Sequence, residues 1–294
     1  MSSDITKFSI ETHIDYRQSR LKQVDIQNPQ LLGLAAVEIN PTELCNRTCS
    51  FCPRHDPEIY PNRNLHMSLE TVSVLVEQLK AANYSGEINI TGFGEPFLNK
   101  QIVDIIQICS TAFYTSVITN GDRIRANPQL LEELQGTDLD LLMVDCYDDA
   151  EQTQWFEDTL AKYTTPYKIR NHYDTGDVDF QSYGYNNRGG SLYESNEKQN
   201  RPCYLPSYKM FVDWNGDVLF CSNDWGREHV VGNLLSETLH NVWFSKPMNK
   251  IRKKLMKGDR SMSPCNKCSV DGSLFGKQSF DIVKEYYENS NNRN

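Results

Sequence analysis

The sequence predicts an α/β protein built on a parallel sheet, and three observations carry that expectation. Five short aliphatic or β-branched segments alternate with segments of helical period between residues 36 and 171, and the apolar rhythm then fails over 173–202. Beyond that gap an Asn215-Gly216 pair stands between two further strand-like runs, a hairpin signal. Strands separated by helices imply crossover connections and therefore parallel neighbours.

The elements follow in order. Residues 1–35 are polar and weakly patterned and read as an N-terminal extension packing outside the core. Strand 36–40 holds Val37-Glu38-Ile39-Asn40. Helix 68–82 repeats Leu69, Val72, Leu75, Val76 and Leu79 at spacings of three and four, with Ser68 and Thr71 offering polar groups to its N-terminus. Strand 87–91, helix 99–110, strand 115–119, helix 127–135, strand 139–145, helix 149–162 and strand 166–171 complete a domain placed at 36–175. Residues 176–200, rich in Asp, Tyr, Asn and Gly, read as a linker. The second unit, 201–275, opens with strands Lys209–Trp214 and Val218–Cys221 and continues with a helix over 236–257. Residues 276–294 read as a C-terminal helix ending in a disordered tail, ENSNNRN. No internal repeat is present.

A chain of 294 residues with 38% hydrophobic content can bury a substantial core in one large or two modest domains. Its formal charge of -9 argues against nucleic acid as a partner, because phosphate binding needs clustered Lys and Arg. The start lacks a basic segment followed by an apolar one, and no run approaches the roughly 18 apolar residues that span a bilayer. The expectation is a soluble cytoplasmic protein with no membrane contact.

In that compartment thiols stay reduced, so spaced cysteines point to metals or catalysis. The nine fall at 45, 49, 52, 109, 146, 203, 221, 265 and 268. Cys45, Cys49 and Cys52 crowd into the loop after the first strand, at the sheet end where ligands collect. Three thiolates there can hold three irons of a [4Fe–4S] cluster and leave the fourth open to another molecule. Structural zinc with His55 as fourth ligand is the alternative. Phe51, beside the last thiol, is placed to lie near an adenine or else in the core. Thr91-Gly92-Phe93-Gly94-Glu95-Pro96 ends the second strand, where glycines permit close backbone approach and Glu95 can accept from an ammonium group; a simple turn is the bland reading. Thr119-Asn120-Gly121 after the third strand suits ribose hydroxyls or a polar turn.

Taken in order, Cys-x3-Cys-x2-Cys, the Gly-Glu-Pro element and Thr-Asn-Gly resemble the radical S-adenosylmethionine (SAM) superfamily over about residues 36–175. The resemblance implies a partial (β/α) barrel of five to six parallel strands. It implies a [4Fe–4S] cluster on Cys45, Cys49 and Cys52 whose open iron binds SAM, with Gly94, Glu95, Thr119 and Asn120 as SAM contacts. Phe93 stands where the family commonly has another Gly. Cys203, Gly216 through Cys221, Gly232-Asn233-Leu234, Val242-Trp243 and Cys265-Asn-Lys-Cys268 resemble the SPASM or twitch domain appended to such enzymes. That implies a β-hairpin plus helix holding a second [4Fe–4S] cluster on Cys203, Cys221, Cys265 and Cys268, although four thiols alone also suit zinc.

Asn187-Arg188-Gly189-Gly190 and Cys45-Asn46-Arg47-Thr48-Cys49 are similar to the 2-deoxy-scyllo-inosamine dehydrogenase type of twitch enzyme, which oxidises a secondary alcohol of an aminocyclitol. The implied partners are a small hydroxylated substrate and an electron donor of flavodoxin or ferredoxin type. Arg188 then contacts or deprotonates the substrate hydroxyl, or makes a salt bridge that stabilises the linker. Glu38 points into the barrel if Asn40 does, as a substrate contact or a paired buried carboxylate. Cys146, closing the fourth strand, is either an inward hydrogen-atom donor, which would make the protein an epimerase, or a buried structural thiol like Cys109. Radical modification of a peptide is a further alternative, and a zinc-ribbon binding protein is the non-enzyme one.

Overall fold

The protein was analysed as a computed structural model that describes residues 10–173, 186–193 and 199–291. Helix α1 (Ile10–Leu21) precedes strand β1 (Ala36–Ile39), and α2 (Leu69–Ala81) starts where the Ser68 side chain accepts from the Thr71 N–H. Then come β2 (Glu87–Ile90), α3 (Ile102–Ser110), β3 (Tyr114–Thr119), α4 (Asp122–Ala126), α5 (Gln129–Gln135), β4 (Leu141–Cys146), α6 (Ala150–Leu160) and β5 (Tyr167–Asn171). After the gap follow α7 (Leu205–Tyr208), β6 (Lys209–Val212), β7 (Asp217–Leu219), β8 (Val230–Asn233), α8 (Leu239–Trp243), α9 (Lys246–Met256) and α10 (Lys277–Asn291).

One sheet runs in the order β5-β4-β3-β2-β1-β6-β7-β8, parallel from β5 to β6 and antiparallel from β6 to β8. Because β1 to β5 are spatial neighbours in chain order, right-handed crossovers carry their helices to one face and leave the other to curl around a cavity. The helix-side face is the main core, in which Val37, Ile39, Leu75, Ile88, Ile105 and Val117 are fully buried. Strand β6 pairs with β1 in register Ile39↔Val212, so the expected second unit contributes a sixth parallel strand to the same sheet.

Several expectations need correction. The extension is more than an outer layer: α1 carries Arg17 against Glu87 at 3.0 Å and Tyr16 against the Tyr114 hydroxyl at 3.0 Å, at the N-terminal ends of β2 and β3. Its polar composition hides this because the described side chains of α1 include an ion pair, a hydroxyl contact and Arg20 over the Tyr114 ring as their links to the sheet. The helix expected over 236–257 is two helices, since Ser245 caps α9 through the Met248 N–H and Pro247 in its first turn lacks the N–H that a continuous helix needs. Helix 99–110 begins at Ile102, because Pro96–Leu98 forms a separate 3-10 turn. Residues 288–291 of the expected disordered tail continue α10. Most of the expected linker (176–185 and 194–198), residues 174–175, residues 1–9 and 292–294 lie outside the described residues.

Candidate active site

The carboxyl ends of β1, β2 and β3 deliver three loops to one place, and buried polar contacts lock them together. In the first, the Cys45 N–H donates to the Asn62 side chain at 2.9 Å and the Cys52 N–H to the Cys49 carbonyl at 3.0 Å. Arg54, buried, donates to the Phe93 carbonyl at 2.5 Å and so ties this loop to the second. The second passes so close to the first that a Cβ on Gly94 would collide with the carbonyls of Thr42 and Leu44. Glu95 lies just beyond, its N–H bonded to the Leu44 carbonyl at 2.7 Å.

Glu95 is itself a connector. It accepts from the Phe97 N–H at 3.1 Å, the Thr119 hydroxyl at 2.6 Å and the Asn120 N–H at 2.8 Å, which fastens the second loop to the third. Burial lifts its carboxyl to about 7 even though these donors favour the charged form. Asn120 bonds Asn46 at 3.0 Å, and Arg47 reaches Asp122 at 2.5 Å and Asp148 at 2.7 Å, so the cysteine loop is held by all its neighbours.

These loops line a cavity of about 490 Å³. Cys45, Cys49, Cys52, Phe51, Gly94, Glu95, Thr119 and Asn120 all stand in its wall, as the sequence leads one to expect. Burial pushes the Cys45 thiol up, and burial with the neighbouring Cys52 and Cys45 pushes Cys49 up to about 11. Three soft donors on one cavity wall, with Cys45 and Cys49 resisting ionisation chiefly because they are buried, are the set a cationic iron–sulfur centre would neutralise. His55, the fourth ligand of the zinc alternative, is exposed outside the cavity wall, its ring 3.4 Å from the Thr48 carbonyl.

The thiols of the second set lie near enough to one another for their charges to interact. Burial comes first in raising Cys221, followed by the charges of Cys203, Cys268 and Cys265; burial and the other thiols lift Cys265 to about 12. Backbone N–H groups already point at sulfur, from Asn223 to Cys221 at 3.3 Å and from Val270 to Cys268 at 3.4 Å. A side chain at Gly272 would collide with the Cys203 sulfur, so the turn is shaped to leave this donor set room. The chemistry of both sets fits iron–sulfur centres. Residues beside the second set, Asn223 and Asp271 among them, also line this cavity.

Between the two sets stands Arg188, whose Nε donates to the Phe51 carbonyl at 3.4 Å, while buried Asn187 bonds the Lys267 carbonyl at 2.6 Å and the Ser269 N–H at 2.9 Å. Glu38 lines the cavity as a paired carboxylate, 2.7 Å from the Lys209 ammonium. The inward reading of Cys146 is corrected. It is fully buried in the main core near Thr153 of α6, because alternation along β4 turns Asp145 to the cavity and Cys146 to the helices. Among the described residues the cavity wall has no cysteine beyond the first three.

Sequence reasoning missed the polar group at the ends of β4 and β5. Asp145 takes a two-pronged pair from Arg170, lies 3.3 Å from the His172 ring and accepts from the Tyr147 hydroxyl at 3.2 Å. Although burial opposes it, the Arg170 charge and His172 hold this carboxyl well below the usual range. Tyr147 stacks on His172 at 4.8 Å and approaches Phe51 at 5.6 Å. The available signal was the two-residue period that placed Asp145 opposite Cys146. Phe93, the departure from the expected glycine, packs with Tyr60, Phe211, Leu219 and Trp225 in a small separate core.

Residues 39–156 match the radical SAM superfamily, and residues 203–269 match an iron–sulfur cluster-binding domain, SPASM. The chain is 26% identical over 261 residues, 86% of its length and 99% of the relative's, to an S-adenosyl-L-methionine-dependent 2-deoxy-scyllo-inosamine dehydrogenase of Niallia circulans. Among solved structures it resembles BtrN in complex with AdoMet and 2-DOIA, with a TM-score of 0.67, 23% identity, and 83% of this chain and 97% of that one covered. It also resembles native anSMEcpe with bound AdoMet and a Cp18Cys peptide, with a TM-score of 0.54, 14% identity, and 86% and 96% covered. No described helix is long and apolar enough to cross a membrane.

Proposed function

We propose, from the premise that this chain is a radical SAM enzyme with a SPASM domain whose cofactors are S-adenosyl-L-methionine and two [4Fe–4S] clusters, that it oxidises a secondary alcohol of a small polyol or aminocyclitol to a ketone. The observation that carries this reading is that one cavity is lined both by the first three thiols and by residues flanking the second four. A substrate held there lies between two redox sites. The relative's substrate, an aminocyclitol by its name, fits the same class.

When bound, the open cluster with SAM supplies a 5′-deoxyadenosyl radical that takes a hydrogen atom, and the second cluster supplies an electron acceptor. The chain's own residues do the rest. Cys45, Cys49 and Cys52 hold the first group, and Cys203, Cys221, Cys265 and Cys268 the second. Gly94 and Glu95 set the distance between the cysteine loop and the SAM loop, while Thr119, Asn120 and Phe51 face the nucleoside. Arg188 is assigned to the oxygen of the reacting hydroxyl, as a fixed donor that keeps its own proton. Glu38 with Lys209, and Asp145 with Arg170, present paired charges whose outer lone pairs and protons hold the remaining hydroxyl or ammonium groups. The alcohol becomes a ketone by losing a hydrogen atom from carbon to the adenosyl group, a proton from oxygen to solvent water and one electron to the second cluster.

Burial of Cys146 outside the cavity favours this outcome over epimerisation, since a radical in the cavity meets no spare thiol among the described residues. A flavodoxin or ferredoxin supplies the reducing electron, and a cytoplasmic setting suits nine unpaired cysteines. The test is an anoxic screen of polyols and aminocyclitols with reconstituted protein, SAM and dithionite in deuterated water. The expected result is one ketone per 5′-deoxyadenosine, with about eight irons per chain. An isomer carrying one solvent deuterium, or zinc in place of iron, overturns the reading.

A further inference from the structure

We propose that the exposed basic face of α9 docks an acidic one-electron carrier protein that takes the substrate's electron from the second cysteine site; this rests on reading Cys203, Cys221, Cys265 and Cys268 as a cluster site. The helix Lys246–Met256 holds five cations and no acid in a chain whose formal charge is -9. Lys246, Lys250 and Lys253 are exposed, as is Lys257 directly after the helix, and their spacing puts them on one face. Met248, Ile251 and Leu255 are buried on the other.

Such a face works against the helix that bears it. Lysines three and four residues apart repel one another, and Lys246 in the first turn opposes the helix dipole. The anion named within the lysine patch is Asp259, 3.5 Å from Lys254. Lys253 lies over the Tyr287 ring at 5.3 Å, whereas Lys246, Lys250 and Lys257 make no ion pair among the described residues, and a partner accounts for their charge.

Position says which partner. The Leu255 carbonyl of α9 accepts the Cys203 N–H at 3.2 Å, so the helix is bonded directly to the second set. Four residues past its end, buried Arg260 donates to the carbonyls of Val270 at 3.1 Å and Pro202 at 3.4 Å, which flank Cys268 and Cys203. On an otherwise negative protein, an acidic carrier is attracted here and repelled elsewhere. The dehydrogenase reading leaves one electron at the second site per turnover, and the oxidised carrier accepts it and is reduced by one electron.

The test compares the reconstituted full chain with Lys246→Glu/Lys250→Glu/Lys257→Glu and with the matching Lys→Gln variant, using oxidised ferredoxin and oxidised flavodoxin as probes in calorimetric titrations at low and at physiological salt. The wild type should bind at least one probe with salt-sensitive affinity. The Glu variant should weaken binding by on the order of tenfold or more and lose the salt dependence, with the Gln variant between. Iron content, circular dichroism and dithionite-driven 5′-deoxyadenosine formation should stay unchanged. Equal affinity in the Glu variant overturns the proposal, as does failure of the wild type to bind either carrier, or binding of duplex DNA or phosphatidylserine vesicles through these lysines in their place. Ketone formation by the wild type under dithionite judges the dehydrogenase reading separately, because it needs no carrier.

Discussion

Replacing Asp145 by Asn strands a buried guanidinium, and the cost can be worked from the contacts. Asp145 is 5% exposed and is met by both prongs of Arg170, by His172 at 3.3 Å and by the Tyr147 hydroxyl at 3.2 Å. Asn keeps the shape and one acceptor but removes the charge that Arg170 answers. Breaking a buried pair from one side costs about 3–5 kcal/mol, because the remaining charge is left in a medium that solvates it poorly. At roughly 2–4 °C per kcal/mol for a large domain, thermal unfolding should fall by about 6–20 °C. Adding Arg170→Met removes the stranded charge and should restore part of the loss, since no buried charge is then left without its partner.

The assay is anoxic thermal unfolding of the two variants beside wild type, followed by circular dichroism. A drop under about 3 °C in the single variant, or a double variant no better than the single, refutes the argument. Function gives a second readout. SAM is proposed to bind on the loops after β1 to β3, so the single variant should still cleave SAM slowly while ketone yield falls. The pH dependence has a definite sign: a carboxyl whose folded value is depressed contributes stability above its unfolded value of about 3.9, and that stability is lost on acidification below it.

Four further outcomes are expected. Replacing Cys45, Cys49 and Cys52 together by Ala should abolish SAM cleavage and leave about four irons per chain at the second site; undiminished cleavage refutes the ligand assignment. Cys265→Ala should lose the second cluster and ketone formation but keep some uncoupled 5′-deoxyadenosine, and normal product without that cluster would show that it is not the electron acceptor. Cys146→Ala should keep most product and lose on the order of 1 kcal/mol of stability for a small buried group; product loss with continued 5′-deoxyadenosine formation would restore the epimerase. Burial raises Glu95 to about 7, so its protonation adds stability that is complete below about 4.3 and lost as pH rises through 7. The stability of wild type relative to Glu95→Gln should therefore decline from pH 5 to 8, and a flat difference counts against the assignment.

The sheet was legible in the sequence wherever one strand face is wholly apolar. Val37 and Ile39, Ile88 and Ile90, and Leu142 and Val144 announce their strands because their alternate positions enter one continuous core. The cysteine sets were legible because thiol spacing survives without any knowledge of tertiary contacts. What stayed hidden depends on pairing between distant elements. Helix α1 looks like solvated chain until Glu87 and Tyr114 supply partners for Arg17 and Tyr16. Arg170 reads as a surface cation until the β4–β5 register sets it opposite Asp145. Cys146 kept two readings in the sequence for a related reason: nearness to the end of β4 says nothing about which face a side chain takes, and a shift of one residue exchanges thiol for carboxylate.

The continuity of the sheet bears on how two redox sites can work together. Residues 39–156 and 203–269 are separate families in sequence, and a flexible junction would let their distance vary. Instead β6 is hydrogen-bonded beside β1 over Ala36↔Lys209 to Ile39↔Val212, and the first cysteine loop leaves the carboxyl end of β1 as the hairpin leading to Cys221 leaves that of β6. Buried charges brace the junction. Arg227, between Cys221 and β8, reaches Asp213 and Glu43 at 2.5 Å each, and Asn40 bonds both carboxylates at 2.8 Å. Electron transfer over a fixed gap needs no docking of one domain on another, so the distance between the sites follows from strand register and these bonds. The composition of the 174–185 segment should then matter little to the redox step, whereas Arg227→Met, which leaves Asp213 and Glu43 facing each other without their cation, should loosen the first cysteine loop from the far side of the sheet.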